Sequence, residues 1–116
     1  MIYLDHGATT AVLPEVVEAM TPYFMEYYGN PSGNYEYGET SKKAIEQVRR
    51  TIADSLGAQP EEIYFTAGGT ESDNWALHGM ADLHPGGHII TTQIEHHAIL
   101  HTCEYLEKKG MRVTYL

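Results

Sequence analysis

"HIITTQIEHHAILHTCEYLEKKGMRVTYL", residues 88–116, reads as strand, helix, strand. The opening "HIITTQ" is short and β-branched, which suits a pleated, half-buried surface. Residues 97–110, "HAILHTCEYLEKKG", read as a helix stopped by Gly110, with Lys108 and Lys109 in the last turn, where cations suit the helix dipole. "MRVTYL" is a second strand. Two strands joined through one helix run parallel by a right-handed crossover, with helices covering the sheet.

The same alternation extends upstream. "EEIYF", residues 61–65, is rich in β-formers, and a strand is expected at 62–66. Gly68, Gly69 and Thr70 follow as a turn. "ESDNWALHGMADL" then carries Trp75, Leu77 and Met80 at helical spacing, up to about Leu83, before the loop "HPGG". The order becomes strand, helix, strand, helix, strand. A turn of this kind can be plain architecture, or it can be an anion seat in which backbone N–H groups and a helix N-terminus face a phosphate.

Residues 1–57 read as an N-terminal arm and helices, and 58–116 as the start of an α/β domain. "IYLD" (2–5) is a short strand or an extended arm. Pro14 suits the first turn of a helix carrying Val17, Met20 and Phe24, which Pro22 should kink or divide and Gly29 should end. Residues 29–38, "GNPSGNYEYG", form a loop by composition. From Glu39, Ile45, Val48, Ile52 and Leu56 recur at three- and four-residue spacing, and Gly57 stands where a C-terminal cap belongs. Three parallel strands make a thin sheet with open edges, so either a partner chain or further sequence should complete it.

The bulk numbers exclude several classes. With 7 basic and 16 acidic residues the formal charge is −9, which repels nucleic acid and anionic membranes. Only Cys103 is present, so no intrachain disulfide forms and a reducing cytoplasm is the expected location. "MIYLDHGATT" meets Asp5 and His6 too early for a secretory signal, and no apolar run approaches membrane-spanning length. Neither a Walker lysine motif nor G-x-G-x-x-G occurs.

"YLDHGATT", "GNPS" at 29–32, "FTAGGTESDN" at 65–74, "HIITTQIEHHAIL" at 88–100 and "TCEYLEKKGMRVTYL" at the end resemble, in order and in register, the cysteine desulfurases of the class V aminotransferase group. The resemblance implies the N-terminal portion of a fold type I large domain, with a sheet incomplete in this chain, and pyridoxal 5'-phosphate as cofactor. It implies cleavage of the carbon–sulfur bond of L-cysteine, release of L-alanine, and transfer of the sulfur through an enzyme persulfide to an acceptor or iron–sulfur scaffold protein. The complete enzyme would be a homodimer. By the same resemblance Gly69 and Thr70 hold the cofactor phosphate, and His96 covers its ring and exchanges protons with the bound substrate. Imidazole fits both tasks, being flat and able to change protonation near neutral pH. Asn74 and Glu71 fall in the matched segment without assigned chemistry.

The chain departs from the family pattern at His6 and Gly7, where asparagine and alanine are usual, and at Tyr35, where histidine is usual. The family's cofactor-anchoring lysine, the aspartate facing the pyridine nitrogen and the persulfide cysteine have no counterpart among these residues. The lysines are Lys42, Lys43, Lys108 and Lys109, all expected on helix surfaces, and Cys103 falls on an apolar stripe with Ile99 and Leu106 as a buried structural thiol. The chain alone should therefore be inactive. Two other readings stand beside this one. His97 and His101, one turn apart and next to Glu95, could begin a metal site. Alternatively the chain is a non-catalytic fragment, or half of a split enzyme completed by a C-terminal chain, with its exposed edges as the association surface.

Overall fold

The computed structural model describes residues 2–116, which divide into two compact units, one ending at Tyr64 and one spanning Phe65–Leu116. In the first unit residues 2–5 are irregular and lead to helix α1, Pro14–Met25. Pro14 opens it as expected. Pro22 does not divide the helix, which runs unbroken past it for three more residues. The helix ends at Met25 rather than Gly29. The N–H groups of Glu26 and Tyr27 both close on the Pro22 carbonyl, at 2.7 and 2.9 Å, so Tyr27 bonds five residues back instead of to Tyr23 and the α-helical pattern stops.

Helix α2 runs Glu36–Leu56, three residues longer at its start than the composition suggests. Gly38 is the reason. A Cβ there would stand 2.4 Å from the Gly33 carbonyl oxygen and 2.6 Å from that of Asn30, so this glycine permits a close backbone approach inside a helix. Ser41, one turn on, is buried and donates to the Tyr27 carbonyl at 3.0 Å, which ties the loop to the helix. Gly57 ends α2 in the left-handed conformation at φ 66°, the cap its sequence position indicates.

The strand expected at 62–66 does not form. Pro60–Glu62 is a 3-10 turn closed by reciprocal bonds between Gln59 and Glu62. Ile63 is extended, yet its N–H goes to the Pro60 carbonyl at 3.2 Å and its carbonyl accepts from the Arg49 guanidinium. Both backbone groups of Ile63 thus have local partners instead of a ladder, and the sheet consists of two strands.

The second unit holds α3 (Gly69–Leu83), β1 (His88–Thr91), α4 (His97–Lys108) and β2 (Arg112–Tyr115). β1 and β2 are parallel, His88 opposite Arg112 through Thr91 opposite Tyr115, and α4 is the crossover. Pairing continues past the strand ends, with Gln93 N–H donating to the Leu116 carbonyl at 3.0 Å. Gly110, at φ 99°, lets the chain leave α4 while Met111 N–H returns to the Leu106 carbonyl at 3.0 Å. The core of this unit is Ala81 of α3 with Ala98, Thr102, Cys103 and Leu106 of α4. One sheet face (Ile89, Thr91, Val113, Tyr115) is half-buried; on the other, His88, Ile90, Arg112 and Thr114 lie open, Ile90 at 63% exposure. No helix is long and apolar enough among the described residues to cross a membrane.

Candidate functional site

α3 and α4 pack against each other, and both of their N-terminal turns border one cleft of about 690 Å³. Its lining includes Thr70 and Asn74 from α3 and His96, Ala98 and Thr102 from α4, with His78, His97, His101 and Tyr105 completing it. Two of the three expected site residues, Thr70 and His96, thus share one wall. Gly69 directly precedes Thr70 as the first residue of α3.

The N-terminus of α3 is built to leave donors open. Gly68 is its cap residue, and the N–H groups of Glu71 and Ser72 both bond to the Gly68 carbonyl, at 3.1 and 3.2 Å. The Glu71 carboxylate reaches back to Ala67 N–H at 2.6 Å, and Thr66 Oγ1 meets Ser72 Oγ at 2.7 Å. Among the described residues no hydrogen bond engages the N–H groups of Gly69 and Thr70. These are orphan donors of a helix start, at the end where the dipole is positive.

The two glycines meet no demand of the fold itself. Gly68 has φ 169°, an extended value any residue adopts, and Gly69 is not in the left-handed region. A Cβ at either would meet nothing within 4 Å. The space beside them is therefore open, and bare backbone lets an anion approach the amides closely. These residues fit a phosphate group through backbone and hydroxyl donors: no lysine or arginine lines the cleft, and the carboxylate of Glu71, next in sequence to Thr70, is turned back onto Ala67 N–H at the same bend. Amides, the Thr70 hydroxyl and the helix dipole must do the holding.

His96 caps α4. Its Nδ1 accepts from Ala98 N–H at 3.1 Å, so its partner is an amide donor and the neutral ring carries its proton on Nε2. His97 and His101 stack, with ring centroids 4.9 Å apart and planes at 21°. Among the described residues no group of three or more histidine, cysteine, aspartate or glutamate side chains is gathered to hold a metal ion. Cys103 is fully buried, and burial first, the Glu107 charge second, push its thiol upward, which makes it a poor nucleophile. The lysines lie exposed on α2 and at the end of α4, and none of them belongs to this lining.

Sequence reasoning left Asn74 and Thr102 without a role. The structure joins them: Thr102 Oγ1 lies 2.8 Å from Asn74 Oδ1 and 2.7 Å from the Ala98 carbonyl, while Asn74 Nδ2 donates to the Thr70 carbonyl at 2.8 Å. The available signal was a threonine on the apolar stripe of α4 beside Cys103 and an asparagine one turn after Thr70.

The family model for class-V aminotransferases matches residues 2–116. A cysteine desulfurase IscS of Methanosarcina thermophila is 60% identical, covering 99% of this chain and 29% of the relative. A solved NifS-like protein superposes with a TM-score of 0.91 at 41% identity, over 99% of this chain and 32% of its own. A structure described as SspA in complex with cysteine gives 0.88 at 46% identity, over 98% and 33%. The chain thus spans about a third of the length of the proteins it matches.

Proposed function

This chain belongs to the class-V aminotransferase family, and from that premise we propose that it is the N-terminal part of a cysteine desulfurase, the part that seats the phosphate of pyridoxal 5'-phosphate and covers its ring. The overall reaction takes L-cysteine to L-alanine and leaves the sulfur as a persulfide on an enzyme cysteine. The observation that carries this reading is the meeting of Thr70, beside the open amides of Gly69, with His96 on one cleft between two helix N-termini. It is supported by relatives named as cysteine desulfurases and by the similarity to SspA, solved in complex with cysteine.

The cofactor, when bound, supplies the electron sink that makes the carbon–sulfur bond breakable. The Gly69 and Thr70 N–H groups and the Thr70 hydroxyl donate to the phosphate and fix the ring's position. The amide of Ala98 holds His96 by Nδ1, leaving Nε2 as the nitrogen that holds or moves a proton toward substrate. The anchoring lysine and the persulfide cysteine belong to further chain. The complete protein is a cytoplasmic homodimer that passes sulfur to an acceptor such as an iron–sulfur scaffold protein.

The test is the product of the whole reading frame that encodes these residues, incubated with pyridoxal 5'-phosphate and L-cysteine. With dithiothreitol added as the reductant that releases the persulfide's outer sulfur as sulfide, equal amounts of alanine and sulfide are expected, with His96→Ala lowering the rate by about 10²-fold or more. A complete, cofactor-loaded protein that forms no alanine would remove the assignment.

A further inference from the structure

Four hydrogen bonds run without a break in sequence of elements from the phosphate seat to the imidazole. Asn74 Nδ2 donates to the Thr70 carbonyl, Thr102 Oγ1 bonds Asn74 Oδ1 and the Ala98 carbonyl, and Ala98 N–H donates to His96 Nδ1. Thr102 has one hydroxyl hydrogen for its two acceptors, so it sits between them as a shared donor. Its side chain is buried, Asn74 is half-buried, and the bond between them joins α3 directly to α4.

We propose that Asn74 and Thr102 are positioning residues: their bond is a cross-brace that sets the distance between the anion seat at the start of α3 and the imidazole at the start of α4. Apolar packing of α3 on α4 brings the helices together, but alanines and a cysteine slide over one another at little cost. A directional bond between the buried Thr102 hydroxyl and the half-buried Asn74 amide resists sliding, because a shift that breaks it gives up the bond's geometry. The location matters as much as the strength. Asn74 is one turn from Thr70, and Thr102 is one turn from Ala98, so the brace joins the two turns whose ends line the cleft. A rigid ligand with an anion at one end and a flat ring at the other needs both grips at one fixed separation, and an ångström of error costs much of the benefit of holding it. A free phosphate needs only the first grip.

This inference rests on the cofactor reading above, and the experiment separates the two. The product of the whole reading frame that encodes these residues, stripped of its cofactor, is titrated calorimetrically with inorganic phosphate and with pyridoxamine 5'-phosphate, which carries both anion and ring and forms no bond to a lysine. The wild-type chain should bind pyridoxamine 5'-phosphate more tightly than phosphate. Thr102→Val, equal in shape and lacking the hydroxyl, should weaken pyridoxamine 5'-phosphate about tenfold while leaving phosphate within about twofold, and Thr102→Ser should restore both. Asn74→Ala, which leaves the Thr102 hydroxyl its bond to the Ala98 carbonyl, should act like Thr102→Val and serves if the latter fails to fold. A wild-type chain that prefers neither ligand overturns the cofactor reading and the brace with it. Preference in the wild type with equal losses for both ligands in the variants, or with no loss, overturns the brace alone.

Discussion

His96 does two jobs with one ring. As the cap of α4 it accepts the Ala98 amide on Nδ1, and as a lining residue of the cleft it offers its remaining nitrogen and its face. The jobs can be pulled apart by substitution. Asparagine keeps a cap acceptor and alanine removes it, so His96→Asn should stay within about 0.5 kcal/mol of the wild type in urea denaturation, while His96→Ala should lose about 1 kcal/mol. Equal stability of the two variants would mean that the cap bond contributes nothing. The ring's position after β1 was legible in "IEHH"; its cap bond was not, because that depends on where α4 starts. Asn74 and Thr102 were less legible still. Each has an ordinary local reading in sequence, and only the packing of two helices shows that they meet.

Among the elements, the strand–helix–strand run at 88–116 was the most legible part of the chain. Every signal in it agrees: β-branched residues in the strands, an apolar stripe through Cys103 and Leu106, and Gly110 as the stop. The segment at 62–66 misled because β-propensity reports a side-chain preference, whereas a strand requires a neighbour to pair with. Arg49 and the Pro60 turn occupy the Ile63 backbone instead. The junction of α4 and β2 carries its own measurable mark. Tyr115 donates to Glu107 Oε2 at 3.0 Å, and burial, then this carboxylate, push its phenol up to about 12 from 10. The neutral phenol is favoured in the folded chain, so the stability it contributes is full below pH 10 and is lost as pH rises through about 12. Urea denaturation should show the wild type above Tyr115→Phe by about 1 kcal/mol below pH 10, with the gap closing near pH 12. A gap independent of pH would mean that the phenol's proton plays no part.

At the scale of the whole molecule, the formal charge of −9 would repel a phosphate backbone or an anionic membrane. The thin, open sheet was also foreseeable, since two or three parallel strands leave a face uncovered, as Ile90 and its neighbours are. What sequence patterns alone left undecided was whether Gly68-Gly69-Thr70 is a connecting turn or an anion seat. The structure adds that neither glycine is required by its own backbone angle or by its neighbours, and that the two amides after Gly68 are open. The central claim is that this bend and His96 grip one ligand. Its most direct test is amide and imidazole NMR of the isotopically labelled 116-residue chain during addition of pyridoxamine 5'-phosphate. The Gly69 and Thr70 amides and the His96 ring should shift together and saturate at one concentration. Shifts confined to other residues, or an amide response with the imidazole unmoved, would contradict it.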